Sequence, residues 1–202
     1  MPNYTFSEGF VAEAEFLSFV FGLLSVGQLA RGDGRGWPTG VVMIVLSGWV
    51  YWKTLLYGSA LLQLYYLPTQ LIGWYRWAQR DNADLRESKR TLSWSRRLTL
   101  VSGWLLATYG VSLFLAAQGG VYPKLDAFVT VGSLLGQTLI VWGFVEAWPI
   151  YLVVDIVSVA LYLWTDLDYY AVMFLVFCGL AAHGWWKWTR ESSVERRIVP
   201  PQ

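Results

Sequence analysis

Cysteine and histidine are almost absent from this sequence, which contains one of each, Cys178 and His183. A single cysteine cannot build a disulfide framework within the chain. One cysteine and one histidine also fall short of the usual ligand set of a zinc site. We therefore predict no disulfide, no metal site and no cofactor. His183 is interpreted as a packed or interfacial side chain, with a proton relay as the alternative.

Charged residues are scarce as well, at 14% of the chain against 55% hydrophobic residues. A soluble domain of 202 residues needs more charge than this to cover its surface. Together with a mean hydropathy of +0.41, this composition places the chain in a lipid bilayer. The net charge of +1 gives no reason to expect a nucleic-acid partner.

Catalytic motifs are missing too: the sequence contains no HExxH, GxSxG or CxxC. The glycine-containing stretch RGDGRG (31–36) does not follow a strand, as a phosphate-binding loop would. We predict that the chain has no catalytic residues and is not an enzyme. The absence of ATP-binding and ion-coupling signatures favours an energy-independent carrier, with proton coupling through Asp155 left as an alternative.

What the sequence does contain is a series of apolar segments near the length of about 20 residues that a bilayer requires. Thirteen tryptophans and twelve tyrosines crowd their ends, as in interfacial aromatic belts. We predict seven transmembrane helices in an all-α polytopic fold: Ala14–Ala30, Trp37–Trp52, Leu55–Trp77, Leu98–Ala117, Ala127–Val145, Trp148–Trp164 and Tyr169–Trp188. Pro38 and Pro149 fall in the first turn of two of these helices, where a missing N–H costs little.

The distribution of basic residues predicts the orientation. With seven spans and the N-terminus outside, thirteen of the fifteen Lys and Arg residues lie on the cytoplasmic side, and only Lys53 and Lys124 lie outside. This is a strong positive-inside bias. The acidic start, with Glu8 and Glu13, lacks the basic region of a cleavable signal peptide.

One segment of the chain occurs twice. Trp37–Trp77 and Trp148–Trp188 align without a gap, at one constant offset, and twelve of 41 positions are identical. Glu15 and Asp126, upstream of the two copies, align at the same offset. Duplicated apolar units are typical of transporters that hold their substrate between the two halves.

Two three-helix units in the same orientation need one further span between them, because three spans end on the opposite side of the membrane. Leu98–Ala117 supplies it, which predicts a 3+1+3 arrangement of parallel repeats. The predicted organisation is a first repeat (1–79), a cytoplasmic linker (80–97), a connecting helix (98–125), a second repeat (126–190) and a cytoplasmic tail (191–202).

Four stretches, WPTG, LYGSALLQ (Leu56–Gln63), GWYRW (Gly73–Trp77) and WPIYLVVDIVSV (Trp148–Val159), resemble the PnuC family of bacterial vitamin transporters. The resemblance covers about Glu13–Trp188. It implies a SWEET-like fold, a homotrimer in the bacterial cytoplasmic membrane, and uptake of nicotinamide riboside by facilitated diffusion. It also implies that a cytoplasmic vitamin kinase traps the product by phosphorylation. Thiamine, riboflavin and deoxynucleosides are alternative substrates, since Ser59 stands where the family usually has an acidic residue.

Asp155 is the main candidate for a substrate-binding residue. It lies about 10 Å into its predicted helix at 1.5 Å per residue, where an unpaired carboxylate is costly. Ser158 and Tyr162 share its helix face, and the matching face of the first repeat carries Ser47 and Tyr51. A carboxylate present in one repeat only is expected if the cavity binds an asymmetric ligand. The alternative is that Asp155 is a structural hydrogen-bonding group.

Polar stripes on two other helices indicate a hydrated cavity. Spacings of three and seven residues place one stripe on the third helix and one on the fifth: Gln63, Tyr66 and Gln70, then Thr130, Ser133 and Gln137. Gln63 and Gln137 are favoured as ligand contacts, because a buried amide is costly when unpaired. Hydrogen bonding between helices remains the alternative, especially for Thr130 and Ser133.

Aromatic side chains suit a ligand that carries a positive ring. Tyr51, Trp52, Trp74 and Tyr162 are candidates for stacking, although Trp74 also lies where a membrane-interface tryptophan belongs. The function predicted from the sequence is therefore transport of a small molecule, most specifically nicotinamide riboside. The alternative from another class is a non-transporting membrane subunit with a binding or scaffolding role.

Overall fold

The computed structural model describes residues 4–30, 34–78, 90–142 and 144–198. These residues form seven α-helices: α1 (Tyr4–Ala30), α2 (Gly36–Lys53), α3 (Tyr57–Ala78), α4 (Trp94–Ala117), α5 (Pro123–Val141), α6 (Ala147–Trp164) and α7 (Asp168–Ile198). Four stretches within them are long and apolar enough to cross a bilayer: Gly9–Gln28, Trp94–Ala117, Ala147–Trp164 and Asp168–Arg190. The prediction of an all-α fold with seven helices is confirmed.

The helix ends differ from the predicted spans, most of all at the two ends of the chain. Helix α1 already begins at Tyr4 and α7 continues to Ile198. An apolar run marks only the part of a helix suited to lipid, whereas backbone hydrogen bonding extends into the polar turns beyond it. The predicted linker Arg80–Arg90 lies outside the described residues except for Arg90, and so do the last four residues of the predicted tail.

The two copies of the duplicated segment make the same turn after their first helix. Leu55 and Asp166, which are equivalent positions in the two copies, have positive φ angles of 60° and 56°. The preceding threonines repeat one contact as well: Thr54 Oγ1 donates to the Val50 carbonyl and Thr165 Oγ1 to the Leu161 carbonyl, both at 3.0 Å. Each turn therefore reverses the chain within a few residues and brings the next helix back antiparallel.

Packing divides the helices into two consecutive groups. Helix α2 packs against α1 and α3, and α6 packs against α5 and α7. The groups meet where α3 contacts α5 and where α1 contacts α7. Each of these contacts joins the first helix of one group to the third helix of the other, so both groups border the space between them.

Helix α4 is attached to the second group. The Trp104 ring stacks on Phe128 of α5 with centroids 4.4 Å apart, and its Nε1 donates to the Phe128 carbonyl at 3.2 Å. Gly132 leaves room for this indole, since a Cβ there would lie 2.5 Å from Trp104. At the start of α4, Arg97 forms a 2.6 Å ion pair with Glu146, just before α6.

Candidate functional site

A cavity of about 310 Å³ lies between the two helix groups. Helices α2, α3, α5, α6 and α7 supply nearly all of its wall, and α1 contributes Val26. Pockets of this size between helices are typical of small-molecule binding, and the interface between two repeats is where transporters hold their substrates.

One wall of the cavity is polar. It is formed by α3, α5 and α6, and its polar side chains are Ser59, Gln63, Tyr66, Ser133, Tyr151 and Asp155. Helix α3 packs directly against α5, which brings polar groups from both halves of the chain onto one surface. Hydroxyl, amide and carboxylate groups together can donate to and accept from a ligand.

The part of the wall formed by α7 and Met43 is apolar and aromatic. Helix α7 contributes Met173, Phe174 and Phe177, and Met43 of α2 adds a second thioether. Phe174 and Phe177 are the equivalents, in the second copy of the duplicated segment, of Gln63 and Tyr66 in the first. The segment has thus diverged into one polar and one apolar side, which suits a ligand with an aromatic ring and a polar remainder.

The main charged group of the site is the carboxylate of Asp155. Its side chain is 4% exposed and lines the cavity, and the described part of the chain gives its carboxylate no hydrogen-bond or ion-pair partner. A buried carboxylate without protein donors is costly. The corresponding residue of the first half is Ile44, which is also buried. The carboxylate is therefore available to a donor or a cation within the cavity.

Gln63 has an unpaired hydrogen-bond acceptor among the described residues. It is 8% exposed, and its Oε1 is buried without a hydrogen-bond partner among the described residues. Its Nε2 makes one long bond, 3.4 Å, to the Ser59 carbonyl. A buried amide oxygen of this kind favours a ligand that brings an N–H or O–H group.

Tyrosines close the cavity at the end where the 54–56 and 165–167 turns lie. The Tyr51 and Tyr162 rings, equivalent in the two halves, stack with centroids 5.7 Å apart and 13° between their planes. Tyr170 packs against both, at 5.1 and 5.7 Å. All three side chains are at most 3% exposed, so they form a tight plug, which we call the tyrosine plug.

Of the eleven side chains predicted to bind substrate, the structure places five on the cavity wall: Tyr51, Gln63, Tyr66, Asp155 and Tyr162. Gln137 stands behind the wall, where its Oε1 accepts a 2.8 Å hydrogen bond from the Tyr151 hydroxyl. Gln70 donates to the Trp37 carbonyl at 3.3 Å. Whether any of the eleven contacts substrate stays a prediction.

The remaining four predicted residues lie elsewhere. Trp52 is 59% exposed and packs on Tyr57, and Trp74 is 41% exposed. Thr130 and Ser158 are buried, and their hydroxyls have no hydrogen-bond partner among the described residues. The spacing of three and seven residues correctly identified side chains that share a helix face. Only part of each face borders the cavity, so some side chains on the same face do not line it.

Sequence reasoning missed Tyr151 and the two phenylalanines as site residues. Tyr151 precedes Asp155 by one helical turn, so the spacing that selected Ser158 and Tyr162 also reaches it. The duplication could have identified Phe174 and Phe177, because they are equivalent to Gln63 and Tyr66, which were predicted to bind substrate. Both signals require the cavity to be located first, since neither residue type is unusual in an apolar helix.

Tyr151→Phe should lower the free energy of unfolding by about 1 kcal/mol, because it leaves the Gln137 acceptor unpaired. Thermal unfolding of the purified protein measures the loss. Tyr109→Phe is the matched control, since the Tyr109 side chain is 65% exposed on α4. Equal melting temperatures for the two variants would mean that the Tyr151–Gln137 bond does not stabilise the fold.

Comparison with known proteins places this architecture in a family. The family model described as "Nicotinamide mononucleotide transporter" matches residues 13–190. The nicotinamide riboside transporter PnuC of Haemophilus influenzae is 28% identical over 183 residues, which cover 86% of this chain and 78% of the relative. The riboflavin/roseoflavin transporter RibM of Streptomyces davaonensis is 29% identical over 209 residues, covering 95% of both chains.

A solved structure shares the fold. The crystal structure of the vitamin B3 transporter PnuC superimposes with a TM-score of 0.69, at 21% identity, over 90% of this chain and 83% of that one. The family model and the PnuC relatives confirm the sequence resemblance to PnuC carriers. Because the family model spans most of the chain, and its helices suit a bilayer, the chain belongs to the nicotinamide mononucleotide transporter family of multi-pass membrane transporters.

Proposed function

We propose that this protein carries nicotinamide riboside across the membrane. The observation that carries the proposal is the buried Asp155 carboxylate, which faces the cavity without a partner among the described residues. Nicotinamide riboside contains a positively charged aromatic ring, and an unpaired carboxylate in a low-dielectric cavity attracts such a charge strongly. The PnuC relatives, named for the same substrate, support this assignment.

The two walls divide the recognition of this ligand. The polar wall offers the Gln63 acceptor and the tyrosine hydroxyls to the carboxamide and the ribose. The apolar wall offers Phe174 and Phe177 to the flat face of the ring, where stacking and cation–π attraction act together. A ligand with a charged ring and a polar sugar uses both walls at once.

Riboflavin is the second candidate substrate, because the RibM relative matches over 95% of both chains. Titration of the purified protein with nicotinamide riboside, riboflavin and thiamine distinguishes the candidates. We expect saturable binding of nicotinamide riboside that an excess of riboflavin or thiamine does not displace. Binding of riboflavin alone would overturn the assignment and favour the RibM-like substrate.

Transport by facilitated diffusion, with intracellular trapping through phosphorylation by a cytoplasmic vitamin kinase, is part of the proposal. Liposomes containing only this protein should equilibrate labelled nicotinamide riboside without ATP or an ion gradient, and they should not concentrate it. Concentration driven by a proton gradient would contradict facilitated diffusion. Binding without any uptake would favour the rival function, a non-transporting membrane subunit.

The proposed architecture is a SWEET-like 3+1+3 arrangement of seven membrane-crossing helices that assembles as a homotrimer. Three observations support the repeat: the duplicated sequence, the matching turns at Leu55 and Asp166, and the matching contacts of α1 with α7 and of α5 with α3. Helix α4 packs on α5, which suits a connector that reverses the direction of the chain.

The proposed location is the bacterial cytoplasmic membrane, with the N-terminus outside and the C-terminus in the cytoplasm. An impermeant thiol reagent added outside should modify a cysteine at Lys124 but not one at Glu87, because basic residues remain on the cytoplasmic side. The unmodified parent, whose single cysteine is Cys178, provides the background rate. External labelling at Glu87 would reverse the proposed orientation.

A further inference from the structure

Two buried carboxylates connect the halves of the molecule just beside the tyrosine plug. Asp126 of α5 accepts hydrogen bonds from the first turn of α3: Gly58 N at 2.7 Å, Ser59 N at 2.8 Å and Ser59 Oγ at 2.6 Å. Glu15 of α1 accepts from Tyr170 N in the first turn of α7 at 3.0 Å. Both carboxylates are at most 3% exposed.

These two contacts are the same contact made twice. Glu15 and Asp126 are equivalent at the offset that relates the duplicated segments, and so are their partners Tyr170 and Ser59. In each case the first helix of one half satisfies free N–H groups at the start of the third helix of the other half. Charged acceptors at such N–H groups are among the stronger hydrogen bonds in proteins.

The bonded residues belong to the closed end of the cavity. Tyr170 is itself one ring of the tyrosine plug, and its hydroxyl donates to Ser47 Oγ at 3.2 Å. Ser59 lines the cavity beside Tyr51 and Tyr162. Separating the two halves at this end would pull α7 away from Glu15 and α3 away from Asp126, and would part the stacked rings.

We propose that Glu15 and Asp126 are a pair of interlocking latches that hold this end of the cavity closed and must release before it opens. The inference rests on the proposed transport function, since a carrier has to open this end to exchange substrate. Each carboxylate bonds to the opposite half, so both contribute to holding this end closed. Asp126, which accepts three bonds, is the stronger latch.

Opening of this end can be measured without any substrate. A Met43→Cys variant in a Cys178→Ala background places one thiol in the cavity, about two helical turns, or about 12 Å, along α2 from Tyr51. An impermeant thiol reagent is added to proteoliposomes from one face at a time. A Lys53→Cys protein, labelled at the exposed end of α2, identifies the face on which the plug lies.

Adding Asp126→Asn should raise the labelling rate from the plug face about tenfold, because one amide N–H₂ group then faces a backbone donor and a charge-assisted bond is lost. Glu15→Gln should raise it less, since its amide oxygen can still accept from Tyr170. Asp166→Asn is the matched control, which removes an exposed carboxylate from the turn before α7 and should leave the rate unchanged.

The face of labelling separates a latch from a merely structural role. General loosening of the fold would raise labelling equally from both faces, and that result would overturn the proposal. Unchanged plug-face labelling in both folded latch variants would also overturn it. If the parent binds none of the candidate vitamins while Asp126→Asn still opens the plug face, the latch stands and the proposed substrate fails.

Discussion

Asp155→Asn should weaken nicotinamide riboside binding about 10- to 100-fold. The substitution keeps the shape of the side chain and removes its charge, so it isolates the attraction between the carboxylate and the positive ring. Hydrogen bonds and contacts that involve a charged group contribute about 1.5–3 kcal/mol, which corresponds to this range of affinity. Isothermal titration of the purified variant measures the change directly.

The melting temperature distinguishes this role from a structural one. Asp155 has no protein partner among the described residues, so its neutralisation should leave the melting temperature unchanged or raise it, because a buried charge is removed. Asp166→Asn is the matched control. It makes the same change on the exposed turn after α6, where asparagine tolerates the positive φ angle. Lower melting with unaltered affinity would assign Asp155 to folding instead.

Gly184→Ala should destabilise the protein by about 1–3 kcal/mol, the usual cost of overfilling a packed site. A Cβ at Gly184 would lie 2.5 Å from the indole of Trp148, which lines the cavity and packs edge-on against Trp188 with centroids 5.3 Å apart. The indole would have to move, so we expect the affinity for substrate to fall together with the melting temperature.

Gly179→Ala, earlier on the same helix, is the control, and we expect it to stabilise the protein rather than destabilise it. A Cβ at Gly179 would meet no heavy atom within 4 Å. The replacement should therefore stabilise α7 by up to about 1 kcal/mol through helix propensity alone. If both variants melted above the parent, the close approach of α6 and α7 at Gly184 would not be a constraint.

The sequence predicted the features that depend on local chemistry. Apolar runs of membrane length predicted seven helices, and the described residues form seven. Pro38 and Pro149 lie in the first turns of α2 and α6, as their missing N–H groups require.

The residues that line the site were predicted less well, because a helix in a bilayer has apolar side chains on both faces. In water, the apolar face of a helix identifies the core, because the opposite face is polar. In lipid both faces are apolar, as on α4, where Leu106 is 74% exposed and Leu115 is fully buried. Hydrophobic patterning therefore could not tell which strip of each helix borders the cavity.

By itself, then, the sequence determined the membrane-protein class, the helix number, the duplication and the isolated carboxylate at position 155. Only the tertiary structure decided that Tyr151 lies on the cavity wall with its hydroxyl bonded to Gln137, and that Phe174 and Phe177 line the same cavity. It also decided that Glu15 and Asp126 bond across the two halves. These contacts join residues as far as 155 positions apart, and local periodicity carries no information about such pairings.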